Sequence, residues 1–364
     1  MGISIVNTED FILLQKKHPV FDVRSPGEFS HASIPEAYSL PLFSDEERAL
    51  VGTAYKQQSR SQAIKLGLEF YGKKMRGMVE EVELHSKSMN DNASQIVLVH
   101  CWRGGMRSSA VAWLLDLYGF KVYTLQGGYK SYRNWVLKQF EGQYTFNVLG
   151  GYTGSGKTIV LEKLREMGHS VIDLEALANH KGSAFGALGE KEQPSQEMFE
   201  NLLALELFHK ANNVQGEGQC ASTWLEDESQ RIGSVTIPGK IWNSMRASPL
   251  YFLTISFEER LNYLVDNYGK YKQELLVAAI MRIQKRLGGL ETKNAINYLL
   301  ENNITESFSI LLKYYDKLYS KGLHNRENLD ILLHDIRCAL VNPEQNALEI
   351  INEMSLSSTV KIRS

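Results

Sequence analysis

Eight residues constrain this chain more than any others: Gly151-Tyr152-Thr153-Gly154-Ser155-Gly156-Lys157-Thr158. They match the whole phosphate-binding P-loop pattern, follow the apolar run TFNVLGG at 145–151, and open a stretch with helical apolar spacing. A chain carrying them must end a buried strand on a glycine loop and start a helix from that loop. Loop amides and the helix N-terminus can then bind a diphosphate, Lys157 can neutralise it, and Thr158 can hold Mg²⁺. The candidate phosphate-binding residues are therefore Gly151, Gly154, Ser155, Gly156, Lys157 and Thr158. The motif specifies a phosphate ester or diphosphate without saying which. Asp173 ends the run SVID at 170–173, and Glu226-Asp227-Glu228 follows ASTWL. Asp173, Glu226 and Asp227 are thus the candidate acids or Mg²⁺ ligands.

The residues before this motif alternate in the same way. VFDVR at 20–24 and IVLVHC at 96–101 read as strands, SSAVAWLLDLYGF at 108–120 as a helix, and KVYTLQGG at 121–128 as a strand. The continuous apolar character of 96–101 predicts a strand buried on both faces, hence a parallel α/β sheet. The polar stretch KQFEGQY at 138–144 separates the halves. The expected domains are residues 1–138 and 139–364. In the second, SVID, ASTWLE at 221–226 and LYFLTIS at 250–256 read as strands. From about Glu258 the chain reads as helical, with breaks at Gly288-Gly289 and Gly322. A net charge of −2 gives no global pull on nucleic acid or membrane, so a polyanion must meet a local basic face. Cys101, Cys220 and Cys338 are too scattered for a disulfide framework or a structural metal site. With no leader peptide and no apolar run long enough to span a bilayer, a reduced, cytoplasmic setting is expected.

The segment His100-Cys101-Trp102-Arg103-Gly104-Gly105-Met106-Arg107-Ser108 joins a buried strand to a helix start. A lone cysteine is most often a core residue. Here loop amides, the helix N-terminus, Arg103 and Arg107 all favour the thiolate, the form that attacks and carries a transferred atom. Cys101, Arg103 and Arg107 are the candidate catalytic residues. The same segment is also His-Cys-x5-Arg-Ser, a phosphatase pattern in which the arginine would cradle phosphate. His100 either ends the strand as a core residue or moves a proton.

This loop resembles that of rhodanese-like domains. Asp22-Val23-Arg24-Ser25-Pro26-Gly27-Glu28-Phe29, His31-Ala32-Ser33-Ile34-Pro35 and Gln126-Gly127-Gly128-Tyr129 resemble other parts of that fold. In this resemblance Asp22 and Arg24 are structural, tying the sheet to the loop. Further stretches resemble one family, the bacterial tRNA 2-selenouridine synthases. They are Glu47–Thr53 with Tyr55-Lys56-Gln57, Asp173-Leu174-Glu175, Asn179–Gly186, Gln193–Gln196, Trp224–Ser229 with Arg231-Ile232-Gly233, and Arg286–Gly289. Lys181 stands where that family is expected to have arginine, which loses the bidentate fork. The resemblance implies a rhodanese-like domain followed by a P-loop domain with a helical C-terminal region. It implies action on the wobble uridine in the anticodon of tRNA. A 2-thio group would be S-geranylated from geranyl diphosphate, then displaced by selenium from selenophosphate, with Cys101 carrying selenium.

Candidate basic faces for tRNA are Arg282, Lys285 and Arg286, at helical spacing, and Lys130 with Arg133 beside Tyr129 and Tyr132, whose rings could stack a base. Lys56, Arg60 and Lys65, and Lys73, Lys74 and Arg76, form two more clusters. Two other readings compete: an HCx5R phosphatase fused to a kinase-like domain, and a nucleotide-gated persulfide carrier. Neither requires the His180–Gly186 or Trp224–Gly233 segments.

Overall fold

The computed structural model describes residues 2–89, 95–212 and 222–361. The chain forms two compact units. The first takes in Met1–Gln139 together with Glu197–Leu205, a segment that a purely linear division assigns elsewhere; the second takes in Phe140–Gln196 and Glu206–Ser364.

In the first unit, β1 (Gly2–Val6), β2 (Val20–Asp22), β3 (Tyr38–Ser39), β4 (Ile96–His100) and β5 (Lys121–Leu125) form one sheet in the order β1-β5-β4-β2-β3. Every pairing is parallel, with Asp22 opposite His100 and Val97 opposite Val122. A parallel sheet must be covered on both faces, which is why β4 is buried from Val97 to His100. Phe21, Val97, Val99, Val111, Leu115 and Val122 make the core, joined by Tyr71 and Val82 of the long helix Arg60–Met89. Cys101 stands immediately after β4, and the helix Met106–Tyr118 follows it.

In the second unit, β6 (Phe146–Gly151), β7 (Thr223–Glu226), β10 (Leu250–Thr254) and β11 (Leu333–Arg337) form a parallel sheet in the order β11-β10-β6-β7, and β8 (Arg231–Ile232) with β9 (Val235–Thr236) forms a small antiparallel ribbon. The chain leaves β6 for β7 on one side and later places β10 on the other, which opens a crevice beyond the carboxyl end of β6. The P-loop lies there, and the helix Lys157–Glu166 begins from it. The helices Phe257–Tyr268, Gln273–Leu287, Gly289–Leu300 and Ile304–His324 enclose a second core around Leu276, Ile280, Leu299, Phe308 and Leu312.

Several details differ from the sequence reading. SVID contributes one parallel bridge, Val171 to Trp224, rather than a strand. Asp173 turns the chain into the short helix Leu174–Ala178 by accepting the Ala176 amide at 2.7 Å. Gly322 lies inside the helix Ile304–His324, because an interior glycine costs only about 1 kcal/mol and does not by itself break a helix. β11 interrupts the region read as helical; its LHDIR sequence is too polar to announce a strand, and pairing with β10 holds it. No helix among the described residues is long and apolar enough to cross a membrane.

Candidate functional site

Cys101 is almost fully buried, and its sulfur faces the turn that follows it. The Gly105 amide donates to Sγ at 3.4 Å, and the Ser108 hydroxyl lies 3.2 Å away. Burial is the largest influence and pushes the thiol up. The Ser108 hydroxyl and the amides of Ser108, Arg103 and Gly105 together outweigh it and hold the thiol below its ordinary value. The turn is closed by the run Gln126-Gly127-Gly128. Gly128 has φ +62°, and a Cβ there would stand 2.3 Å from the Cys101 carbonyl oxygen and 2.4 Å from the Gly104 nitrogen. The Tyr129 amide donates to that carbonyl at 2.8 Å.

Charges around the turn are largely paired. Arg24 donates through Nη2 to Asp22 at 2.6 Å and to the Ala32 carbonyl at 2.7 Å, with both side chains buried. Its guanidinium lies 3.8 Å from the Tyr129 ring centre. Arg107 donates through Nη1 to Glu28 at 2.8 Å, whereas Arg103 is exposed. His100 is wholly buried and 3.7 Å from Asp22; burial lowers its pKa more than Asp22 raises it, so it behaves as a core residue.

In the second unit a cavity of about 1460 Å³ opens on the P-loop. Gly154 and Gly156 take φ +83° and +74°, and a Cβ on Gly154 would meet the Arg260 carbonyl at 2.8 Å. Arg260 holds the loop from behind, donating to the Thr153 carbonyl at 3.0 Å and to Asp316 through two nitrogens at 2.8 and 2.9 Å. Lys157 Nζ donates to the Gly151 carbonyl at 2.9 Å, and the Thr158 hydroxyl donates to Glu175 at 3.0 Å. Burial raises the Glu175 carboxyl despite Lys157 and Thr158. Glu228 is held well above the carboxylate range by burial and by the charge of Glu175, to which it is hydrogen-bonded. The cavity lining includes Arg282 and Arg286 as well as Phe185, Leu264, Tyr268, Phe308, Leu311 and Leu312, which belong to one apolar cluster.

The rhodanese-like domain profile matches residues 8–134, and the profile described as the tRNA 2-selenouridine synthase AAA domain matches residues 144–341. A tRNA 2-selenouridine synthase of Sulfurovum sp. strain NBC37-1 is 35% identical over 83% of this chain and 87% of its own length. One from Bdellovibrio bacteriovorus is 34% identical over 86% and 91%. The chain belongs to the tRNA 2-selenouridine synthase family. Its relatives in that family are enzymes by name, and the parallel α/β architecture of both units agrees with the two profiles. Among solved structures, the N-terminal domain of a Clostridium difficile 630 protein matches 37% of this chain and 99% of its own length at 36% identity, with a TM-score of 0.33.

Within this family member, Gly154, Ser155, Gly156, Lys157 and Thr158 all line the cavity, with Gly151 ending β6 behind them. The predicted acids divide. Asp227 lines the cavity and is taken up by Arg326 at 2.9 Å and the Tyr319 hydroxyl at 2.7 Å. Asp173 caps a helix, and Glu226 is buried behind it, accepting the Leu174 amide at 3.0 Å. Burial and the nearby charges of Asp173 and Glu175 keep Glu226 well above the carboxylate range. The acid that meets the P-loop is Glu175, with Glu228 behind it; both sit in stretches where the sequence drew attention to the neighbouring residue. Arg133 is a poor RNA contact, because it donates to Glu200 and to Asn201 Oδ1, each at 2.5 Å. Tyr129 and Tyr132 are fully buried and offer no face to a base. Lys130 and Lys285 are exposed, whereas Lys74 is paired with Glu47 and Arg76 with Glu80. Lys181, the departure from the family pattern, pairs with Glu190 at 3.0 Å. Cys220 lies outside the described residues.

Proposed function

We propose that the chain converts 2-thiouridine at the wobble position of tRNA to 2-selenouridine in two steps, with geranyl diphosphate and selenophosphate as co-substrates. The observation that carries this reading is the make-up of the P-loop cavity. The loop residues with Lys157, suited to a diphosphate, and apolar and aromatic side chains, suited to a hydrocarbon chain, line the same cavity. Its volume of about 1460 Å³ exceeds the roughly 300–1,000 Å³ of an ordinary ligand pocket, leaving room for an extruded nucleoside beside the prenyl group.

In the first step the thiocarbonyl sulfur attacks C1 of the geranyl group. The S–C bond forms, the C–O bond breaks, and diphosphate leaves with the electron pair, its charge met by Lys157 and the loop amides. Alkylation turns a poor leaving group into a thiolate-type one. In the second step a selenium nucleophile forms the C2–Se bond and geranylthiol departs. Cys101 carries the selenium as S–Se⁻. Selenophosphate supplies selenium at the selenide level: its P–Se bond breaks with the phosphoryl group passing to water as phosphate, and the selenide displaces a small thiol from a Cys101 mixed disulfide to leave S–Se⁻. Once C2–Se has formed and geranylthiol has left, that thiol attacks the Cys101 sulfur, breaks the S–Se bond, frees 2-selenouridine and restores the mixed disulfide. The oxygens of Thr158 and Glu175, with Glu228 behind, make a hard donor set suited to Mg²⁺, which would supply further charge to the diphosphate. Arg282, Lys285, Arg286 and Lys130 are the proposed tRNA phosphate contacts, and a reduced cytoplasmic setting suits both the tRNA and the thiolate.

The test is mass analysis of wobble nucleosides from 2-thiolated tRNA treated with the protein. Geranyl diphosphate alone should yield the S-geranyl nucleoside, and both co-substrates should yield 2-selenouridine. Cys101→Ser should block selenation and leave S-geranylation intact. Full 2-selenouridine formation by that variant rejects Cys101 as carrier, and no modification by the wild type rejects the reaction.

A further inference from the structure

We propose that Trp102 is the stacking platform that holds the wobble base of tRNA beside Cys101, with Arg103 taking a phosphate of the same strand. This deepens the reading of Cys101 as the selenium carrier and rests on it.

Four aromatic rings follow one another in contact: Trp102 to Tyr129 with ring centres 5.7 Å apart, Tyr129 to Tyr132 at 5.9 Å, and Tyr132 to Trp135 at 5.6 Å. Tyr129 and Tyr132 are fully buried and Trp135 nearly so, whereas Trp102 is 37% exposed. The row therefore opens to solvent at Trp102. Its inner rings are fixed. The Arg24 guanidinium lies 3.8 Å from the Tyr129 ring centre, and the Tyr129 hydroxyl donates to Glu197 and accepts from Asn201, each at 2.8 Å. The backbone at the open end is fixed as well, because the Tyr129 and Lys130 amides donate to the Cys101 and Trp102 carbonyls at 2.8 and 3.0 Å.

A single exposed apolar side chain is ordinary and by itself needs no function. Trp102 differs in its position. It follows Cys101 directly, so the two Cα atoms are about 3.8 Å apart, and it ends a row of packed rings, so a further ring laid on it meets a surface already ordered. Such a surface suits a nucleobase, which stacks on aromatic side chains through its flat face. The reaction must bring C2 of a pyrimidine to a group on the Cys101 sulfur, and stacking on the neighbouring ring keeps the base at that turn. Of the arginines near the sulfur, Arg24 is paired with Asp22 and Arg107 with Glu28. Arg103 is exposed and makes no ion pair among the described residues, which leaves its charge for a phosphodiester.

The test measures how a 2-thiolated anticodon stem-loop protects Cys101 from iodoacetamide, read on the Cys101 peptide by mass spectrometry. Each protein is compared with its own rate without RNA, and circular dichroism confirms folding. The loop should protect the wild type at low salt. Trp102→Ala should raise the concentration needed for half protection about 5- to 150-fold, the loss of one base–aromatic stack, and Trp102→Phe should recover most of it. A loop lacking the wobble base should protect the wild type as weakly as the intact loop protects Trp102→Ala, and Trp102→Ala should lose nothing further with it. Arg103→Ala should lower the log–log salt slope of protection by about 0.7–0.9, one phosphate contact, and Trp102→Ala should leave that slope as it was. Absence of protection in the wild type overturns the inference, and this arm needs no variant to fold. So does a folded Trp102→Ala protein that is protected as well as the wild type, or that loses protection equally from intact and base-less loops. An unchanged slope in Arg103→Ala overturns the part given to Arg103. No selenium or prenyl donor enters the assay, so its failure is separable from failure of selenium transfer, which the Cys101→Ser experiment reads.

Discussion

Gly128→Ala should silence Cys101 without touching it. Gly128 has φ +62°, where an L side chain costs about 1–2 kcal/mol before any contact is counted. The new Cβ would lie 2.3 Å from the Cys101 carbonyl oxygen, 2.4 Å from the Gly104 nitrogen and 2.8 Å from the Arg103 nitrogen. All three are backbone atoms, so no side-chain rotation relieves the overlap, and the Cys101 turn itself must move. That turn supplies the Gly105 amide and helps aim the Ser108 hydroxyl at the sulfur. A hydrogen bond to a charged group is worth about 1.5–3 kcal/mol, so losing one lowers the thiolate population roughly 10- to 100-fold at a pH below the thiol's pKa. Burial would then dominate and push the thiol up. The assay is the pH dependence of Cys101 alkylation by iodoacetamide, with circular dichroism to confirm folding. Gly105→Ala is the control: its φ is −106° and nothing lies within 4 Å of its Cβ position, so its rate should stay within a few-fold of wild type. S-geranylation, which we propose takes place at the P-loop, should persist in both. A folded Gly128→Ala protein with the wild-type rate and pH profile would refute the claim that loop donors set the reactivity of this cysteine.

Lys157→Ala should abolish S-geranylation while a pre-geranylated tRNA is still selenated; normal geranylation by that variant would give the P-loop a different ligand. Replacing Arg282, Lys285 and Arg286 together by Ala should flatten the salt dependence of tRNA binding by about 0.7–0.9 in log–log slope for each lost phosphate contact, read by anisotropy at several salt concentrations. An unchanged slope would move the interface to other basic residues such as Lys130. Glu228→Gln should raise the melting temperature at neutral and alkaline pH, with the gain shrinking toward acid. The folded-state pKa of Glu228 is raised, so its contribution to stability is complete below the unfolded value and is lost as pH rises through the folded value. A gap between variant and wild type that does not depend on pH would contradict this.

The two glycine turns, after β4 and after β6, were legible because each is encoded locally. Strand, glycines and helix start lie within a dozen or so residues, and their dihedral demands can be met only by glycine at positions such as Gly104 and Gly156. What the sequence concealed depends on distant partners. Arg133 reads as a free cation until Glu200 and Asn201, far along the chain, are seen to hold it. Tyr129 and Tyr132 read as stacking platforms, but both rings are consumed in packing, Tyr129 beneath Arg24. Asp173 and Glu175 are two residues apart; which one meets Thr158 depends on the helix start at Leu174, where Asp173 caps and Glu175 points to the loop. β1 at the sheet edge and β11 were missed because each is short and held by pairing on one side more than by its own pattern.

Both turns follow one construction, in which a parallel strand ends, glycines at positive φ turn the chain, and a helix starts, an arrangement whose amides suit an anion. They differ in what becomes of the surrounding charge. Around Cys101 Arg24 is paired with Asp22 and Arg107 with Glu28, Arg103 is exposed, and the donor on the sulfur is the neutral Gly105 amide. At the P-loop burial acts against the charge of the acids Glu175 and Glu228. Glu228 is held well above the carboxylate range, Glu175 is raised, and Asp227 is occupied by Arg326, while Lys157, Arg282 and Arg286 line the cavity. A ligand bearing several charges gains most from the second arrangement, and a singly charged chalcogenide loses least in the first. This difference supports assigning the diphosphate to the P-loop and selenium to Cys101, because exchanging them would put a multiply charged ligand against arginines already paired and a single charge among the cations lining the cavity.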